Sequence, residues 1–345
     1  MNKLNILITT VGGLTSPDIL SAFRNNQERD VFIVGTDPFE FAVGRKFVDV
    51  FKVLPNSDNN QQRFADEISK LVADYQIDVV VPCGNEDGLA LSRYKSQIQC
   101  KVMVGEYRDL IQAYDKGYVY QRLQKELKEN SPRFFIVSNY DSFMEAIDSL
   151  GFPQKKIVVK PRFGRGGRGV YTLSGDCDFD VVFSSKPDNN YPLDFFEKIL
   201  KNKQSFDDLI VMEYLDEPYY SLYSICKNGN NLFTLKHTRK WGTASQMLRG
   251  EVSYDKKMEA IATKVIKIFN LNYTNNIELG ISEEGRVVLF DLNPRIGASS
   301  AIDCDLGFNF PYQALKLLIE EDIEITNDGF NTKHTFIRYF KHMWL

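Results

Sequence analysis

The chain has 345 residues, 43% hydrophobic and 26% charged, enough apolar content to bury sizeable cores in about two or three subdomains. Its 42 basic and 46 acidic residues leave a formal net charge of −4, which argues against a general nucleic-acid binder or membrane-surface protein. Five scattered cysteines without CxxC spacing imply neither a zinc site nor a disulfide framework. No apolar run approaches the ~18 residues that span a bilayer, so a reduced, cytoplasmic setting is expected.

Residues 1 to 105 alternate strand and helix. The pattern predicts strands at Leu4 to Thr10, Val31 to Gly35, Val79 to Pro82 and Val102 to Gly105, with helices at Ser16 to Asn25 and Phe64 to Tyr75. Ser16-Pro17 reads as an N-cap and first-turn pair, and Phe64, Ile68, Leu71 and Val72 share one helix face. Such βαβα alternation implies a parallel sheet covered on both sides. Asp37 follows the second strand, but Gly12-Gly13 lacks the GxGxxG spacing of a dinucleotide site.

From Ile157 to Tyr171 the chain reads IVVKPRFGRGGRGVY. A β-rich run delivers Lys160 into a basic, glycine-dense turn that Pro161 opens. Gly164, Gly166, Gly167 and Gly169 let backbone N–H groups approach an anion, Lys160 can reach a phosphate oxygen, and Arg165 and Arg168 raise the local positive potential. The alternative is a basic surface hairpin; neither a GxxxxGK[ST] loop nor a GxGxxG turn is present. Residues 176 to 208 read as a surface elaboration containing a short helix around Phe195, Ile199 and Leu200.

Leu235 to Gly242 alternates into a basic tip in which His237 and Lys240 are expected to be solvated. Farther on, NIELGISEEGRVVLFDLNPRIG predicts strands at Ile277 to Ile281 and Arg286 to Leu292, joined by a turn at Ser282 to Gly285. Asp291 and Asn293, two apart, then share a face, and Glu278 arrives from the neighbouring strand. Three hard oxygen donors suit Mg²⁺, which takes one or two carboxylates and completes its shell with waters and phosphates. Arg295 offers a forked donor for transferring phosphate oxygens. An acidic hairpin rim with Arg295 paired to a carboxylate is the alternative. The ending, Phe336 to Leu345, reads as a closing strand packed on the core, with Arg338 a candidate for carboxylate binding.

Taken together, these blocks resemble the ATP-grasp enzymes, in particular the branch similar to carbamoyl phosphate synthase, biotin carboxylase and amino-acid ligases. Asp115-Lys116 resembles the helix-borne pair whose lysine meets ATP phosphates, and Val159-Lys160-Pro161 with Gly164 to Gly169 resembles the phosphate-covering strand and loop. Val211-Met212-Glu213-Tyr214-Leu215 resembles the hinge that holds adenine through backbone groups of Glu213 and Leu215; Asp291-Leu292-Asn293-Pro294-Arg295 resembles the metal-binding E-x-N-P-R. Two departures stand out: Tyr219 occupies the place of a ribose-binding glutamate, and Asp291 replaces a glutamate. The resemblance also places a substrate- or phosphate-facing arginine near Arg239.

It implies a mixed α/β and α+β fold, with a parallel α/β domain at 1–105, a small subdomain with the glycine-rich loop at 106–208 and a metal-bearing C-terminal subdomain at 209–345, the last two clasping the nucleotide. The activity implied is ATP-dependent carboxylate–amine ligation through an acyl phosphate, using ATP with Mg²⁺ or Mn²⁺, small-molecule carboxylate and amine substrates, no nucleic acid or membrane partner, and a homodimer as an expected assembly. Alternatives are phosphorylation of carbonate or carbamate, an ATP-binding protein with reduced catalysis, and an oxidoreductase built on the N-terminal sheet.

Overall fold

The computed structural model describes residues 3–164, 166–175, 189–242 and 246–344. Two compact units are formed, one from Met1–Tyr114, Tyr220–Ile277 and Leu292–Leu345, the other from Asp115–Tyr219 and Glu278–Asp291.

In the first unit, strands β1 (Leu4–Thr9), β2 (Val31–Asp37), β3 (Val50–Val53), β4 (Val79–Val81) and β5 (Lys101–Val102) pair in parallel in the order β3-β2-β1-β4-β5. Their near-continuous apolar runs are what a sheet covered on both faces requires. The side-chain period of two is visible in the packing. Ile6, Ile8, Ile33, Val79 and Val81 enter one core with Phe23 of helix α1 (Ser16–Arg24). Leu7, Val34 and Val80 enter a second with Phe64, Ile68, Leu71 and Val72 of helix α2 (Gln61–Asp74). Helix α1 starts with Thr15 as its N-cap rather than one residue later, and Pro17 lies in the first turn. Helix α2 begins earlier than predicted because Asn60 caps it, accepting from Arg63 N.

Strand β1 pairs with β2 on one side and β4 on the other. The winding therefore reverses between β1 and β4, opening a crevice at their carboxyl ends. Out of β4 the chain turns through Pro82-Cys83-Gly84 into helix α3 (Asn85–Arg93), an element absent from the predicted set.

In the second unit, β6 (Phe134–Val137), β10 (Leu209–Glu213), β7 (Ile157–Pro161), β8 (Tyr171–Leu173) and β9 (Asn190–Tyr191) form a sheet in that order. Its pairings are antiparallel except β8 with β9. Helix α5 (Lys116–Glu126) and helix α6 (Tyr140–Ser149) belong to this unit, α4 (Tyr107–Tyr114) to the first. Phe143 and Ile147 of α6 share a core with Ile157, Val159, Phe196 and Val211. The short helix expected before the hinge spans Leu193–Leu200, and Phe195 stacks on Tyr191 at 4.2 Å.

A third sheet runs β15 (Val287–Asn293), β14 (Tyr273–Ile281), β11 (Asp216–Lys227), β12 (Asn230–Gly242), β13 (Met247–Ser253), β16 (His334–Ile337). Strands β11, β14 and β15 each carry the chain from one unit into the other. The predicted turn between β14 and β15 closes through Ser282 N to Arg286 O at 2.9 Å, with Gly285 at φ 77°. The expectation for the C-terminus is corrected: β16 ends at Ile337, and Tyr339, Phe340 and Trp344 beyond it are 74%, 73% and 83% exposed. These aromatics do not pack on the core. No described helix is long and apolar enough to cross a membrane.

Candidate active site

Asp115 does two jobs at the start of α5. One carboxylate oxygen accepts from Tyr118 N at 3.0 Å, capping the helix. Both oxygens also grip Arg162, at 2.7 and 2.6 Å, while Asp208 takes the other side of that guanidinium at 2.8 Å. A forked arginine held by two carboxylates is rigid. It ties the helix start to the end of β7, and thereby brings Lys116 beside the glycine turn. Lys116 Nζ donates to Gly164 O at 2.8 Å and stands 3.1 Å from Asp291 Oδ1.

Lys160, one residue before Pro161, is 5% exposed. Its ammonium donates to Tyr120 OH at 2.8 Å and Phe290 O at 2.9 Å, and Tyr120 OH donates to the same carbonyl at 2.6 Å. Burial, with Lys116 adding to it, pulls the Lys160 pKa down to about 7 against the opposing fields of Asp291 and Glu278. Among the described residues no group of three or more His, Cys, Asp or Glu gathers as a metal cage. Asn293 lies two residues along β15 from Asp291.

In the loop after β7, Gly166, Gly167 and Gly169 have φ of 60°, 72° and 71°, the left-handed region that side chains resist. A Cβ on Gly169 would also stand 2.9 Å from Pro161 Cγ. Gly164 is different: its φ lies outside that region and it has ordinary space, so its contribution is the carbonyl that Lys116 binds. Arg168 is exposed, and Arg165 lies outside the described residues.

At the hinge, the buried Glu213 carboxylate accepts from Arg133 N at 2.8 Å, Arg133 Nε at 3.2 Å and Arg286 Nη2 at 3.2 Å. Its side chain thus holds β10 to β6 and to the β14–β15 turn, whereas Glu213 N donates to Arg133 O. Lys156 Nζ lies 5.6 Å from the centre of the Tyr214 ring. Tyr219 turns its hydroxyl onto Leu215 O at 2.7 Å and sets its ring edge against Phe290. Burial, foremost, raises the Tyr219 pKa, so the group is a neutral phenol.

Within the first unit, Asn293 is 6% exposed and its Oδ1 accepts from Asn85 Nδ2 at 3.1 Å; Arg295 Nε donates to Asn85 Oδ1 at 3.0 Å and its Nη1 to Ile296 O at 2.8 Å. Arg239 sits half-buried on β12. The expected solvation of His237 is corrected: it is fully buried, with Nε2 3.0 Å from Asp303 Oδ2. Counting charges along LKHTRKWG hid the strand period that turns His237 inward, between the rings of Tyr223 and Phe336. Lys240 is exposed and pairs with Glu251 at 3.3 Å, as a solvated residue does. Arg338 is committed to Asp18, Ala298 O and Ser299.

Three neighbours of these residues escaped the sequence pattern. Tyr120 lies one helical turn from Lys116 and Arg162 two strand positions from Lys160, spacings that mark a shared face. Asn85 had only its place after an apolar strand.

A family described as ATP-grasp in the biosynthetic pathway with Ter operon matches residues 205–338. The carbamoyl phosphate synthase large chain of Kocuria rhizophila is 24% identical over 317 residues, covering 86% of this chain and 27% of that one. The chain thus spans about a quarter of the length of that relative. Among solved structures, an ADP complex of N5-carboxyaminoimidazole ribonucleotide synthetase superposes with a TM-score of 0.70 at 16% identity, covering 97% of this chain and 81% of the other. The L-amino acid ligase of Bacillus licheniformis gives 0.65 at 13% identity, with 93% and 75% covered.

Proposed function

We propose, from the chain's membership of the ATP-grasp superfamily, that it is an ATP-dependent carboxylate–amine ligase working through an acyl phosphate and releasing ADP and phosphate. The observation that carries this reading is the convergence, within one unit, of Lys116 and Lys160 from separate segments with the carboxylate of Asp291.

The chain's own groups divide the work. Lys160, held by Tyr120 and Phe290 O, is a buried point charge whose proton is loosely held until an anion arrives. Lys116 neutralises Asp291, and a triphosphate would draw the ammonium toward its oxygens and release the carboxylate. Glu278, Asp291 and Asn293 would hold a divalent cation, which supplies charge neutralisation for phosphoryl transfer when bound. Backbone groups of Glu213 and Leu215 are the proposed adenine contacts, and the glycine loop, with Arg165 in it, the phosphate cover. Tyr219 spends its hydroxyl proton on Leu215 O, so it would meet a ribose as an acceptor. Arg295 and Arg239 are the proposed contacts for the transferring phosphate and the carboxylate substrate.

Phosphoryl transfer relies on positioning and charge rather than on a protein base, so no Ser–His–Asp set is needed. The carbamoyl phosphate synthase relatives favour a second reading, phosphorylation of carbonate or carbamate with the same groups. Both are tested by Mg²⁺-dependent ADP release over a panel of amino acids, other carboxylates and bicarbonate. Stimulation by a carboxylate plus an amine supports ligation, and stimulation by bicarbonate alone the second reading. Tight ATP binding without turnover on any of them would overturn both.

A further inference from the structure

Tyr120 belongs to none of the motifs read from the sequence, yet it joins three segments of the second unit. On helix α5 it lies four residues, about one turn, after Lys116, so the two share a face. Its hydroxyl oxygen is 2.8 Å from Lys160 Nζ of β7 and 2.6 Å from Phe290 O of β15, and Lys160 Nζ reaches that carbonyl at 2.9 Å. Phe290 immediately precedes Asp291. Each of the three segments thus bears one of the groups whose convergence carries the ligase reading. Their common node is the hydroxyl of a side chain that is 0% exposed.

Bonding in this triangle can run only one way. An ammonium only donates, so the Tyr120 oxygen accepts from Lys160, and the single phenol proton goes to Phe290 O. Met212 Sδ, at 3.7 Å, is a weak acceptor beside it. Burial, with the field of Asp291 adding to it, raises the Tyr120 pKa well above its ordinary value, so that proton stays on the phenol. Two of the three N–H bonds of the Lys160 ammonium are then committed, which fixes the direction of the third. Phe290 O also keeps a donor when Lys160 turns toward an anion, so the move orphans no buried carbonyl. A phenylalanine would fill the same space, edge-on to Phe134 at 5.1 Å, and could do neither.

We propose that Tyr120 is a positioning residue for Lys160: its hydroxyl holds the ammonium to β15 and aims the remaining N–H at a phosphate of the bound nucleotide. The inference rests on the ligase reading above, because it takes Lys160 as a phosphate contact. Residues joined in one hydrogen-bond network act together rather than additively, so the contribution of Tyr120 to nucleotide binding vanishes once Lys160 is gone.

The test is a double-mutant cycle on the full chain, read by titration calorimetry as affinity for a non-hydrolysable ATP analogue with Mg²⁺. Tyr120→Phe keeps the ring and removes only the hydroxyl. It is expected to weaken binding about tenfold in the wild-type background and to change it by no more than about twofold in a Lys160→Met background. A hydroxyl that merely supported the core would cost the same in both. Equal losses in the two backgrounds, or no loss in either, overturn the role of Tyr120 and leave the ligase reading standing. Lys160→Met protein that binds the analogue as tightly as wild type overturns this inference together with the assignment of Lys160 to a phosphate. Wild-type protein that binds no analogue overturns the inference and the ligase reading at once.

Discussion

On the proposed ligase reading, Lys160 would link nucleotide binding to protons. Its pKa falls from 10.5 to about 7 on folding, burial being the main cause. Between those values the unfolded chain carries a proton that the folded chain lacks, so this group's contribution to stability rises with pH across the window; its destabilising effect is fully present below about 7. Binding runs the other way. A phosphate favours the charged lysine, so nucleotide affinity is expected to fall above pH 7, with a limiting slope of about tenfold per unit. Calorimetry of ATP-analogue binding at pH 8, in buffers of different ionisation enthalpy, should show uptake of about one proton. Lys160→Met should abolish that uptake, and wild-type binding without uptake would rule the linkage out. A second expectation at this scale concerns His237. Replacing it with Phe removes the hydrogen bond between His237 and the buried Asp303 carboxyl, and losing a hydrogen bond to a charged group costs about 1.5–3 kcal/mol, read as a drop in urea-unfolding free energy. An undiminished value would mean that Asp303 is held by other groups.

At the level of elements, the glycine turn separates three kinds of glycine that look alike in sequence. Gly169 combines φ 71° with a forbidding approach to Pro161, whereas Gly166 has φ 60° and open space, and Gly164 has neither constraint. A side chain in the left-handed region costs about 1–2 kcal/mol. Nucleotide affinity is therefore expected to fall most in Gly169→Ala, by about tenfold or more, less in Gly166→Ala, and to change under threefold in Gly164→Ala. A reversed order would remove the loop's backbone from nucleotide binding. Strong period signals explain what was legible: the apolar runs of β1, β2 and β4, the amphipathic face of α2, and the β14–β15 hairpin with its Gly285 turn. Helix α3 was not, because Asn85-Glu86-Asp87-Gly88 breaks the apolar pattern and starts the helix with polar groups whose partners, Thr10 and Ser57 for Asp87, lie far away in sequence. The same holds at the site. Lys160, Asp291 and Asn293 stand out against apolar strands, but Tyr120, Arg162 and Asn85 gain their meaning only from tertiary contacts. His237 is a different case: its inward turn follows from the strand period, while its partner Asp303 is 66 positions away.

At the scale of the molecule, the parallel sheet is not a self-sufficient body. Ile6, Ile8, Phe23 and Ile33 from the first 114 residues lie in the same buried cluster as Phe233, Leu235, Val252, Phe308, Phe310 and Leu315 from the other segments of the first unit. Ion pairs repeat the connection: Arg29 with Glu321, Lys316 with Glu28 at 2.8 Å, and Arg338 with Asp18 at 3.1 Å. Fully exposing an aliphatic or aromatic core side chain costs about 1.5–3 kcal/mol, so uncovering the four from the first segment together costs about 6–12 kcal/mol, comparable to the whole stability of about 5–15 kcal/mol that a domain holds. A fragment of residues 1–114 is therefore expected to show no cooperative urea transition and to aggregate through the uncovered face of its sheet. Substituting Phe310→Ala in the full chain should lower unfolding free energy by about 3–5 kcal/mol, and should do so for the sheet and the C-terminal segments in a single transition followed by both fluorescence and circular dichroism. A soluble, cooperatively folding 1–114 fragment would show instead that the sheet is an independent domain, and the bridge from Asn85 to Asn293 and Arg295 would then join two bodies rather than lie inside one.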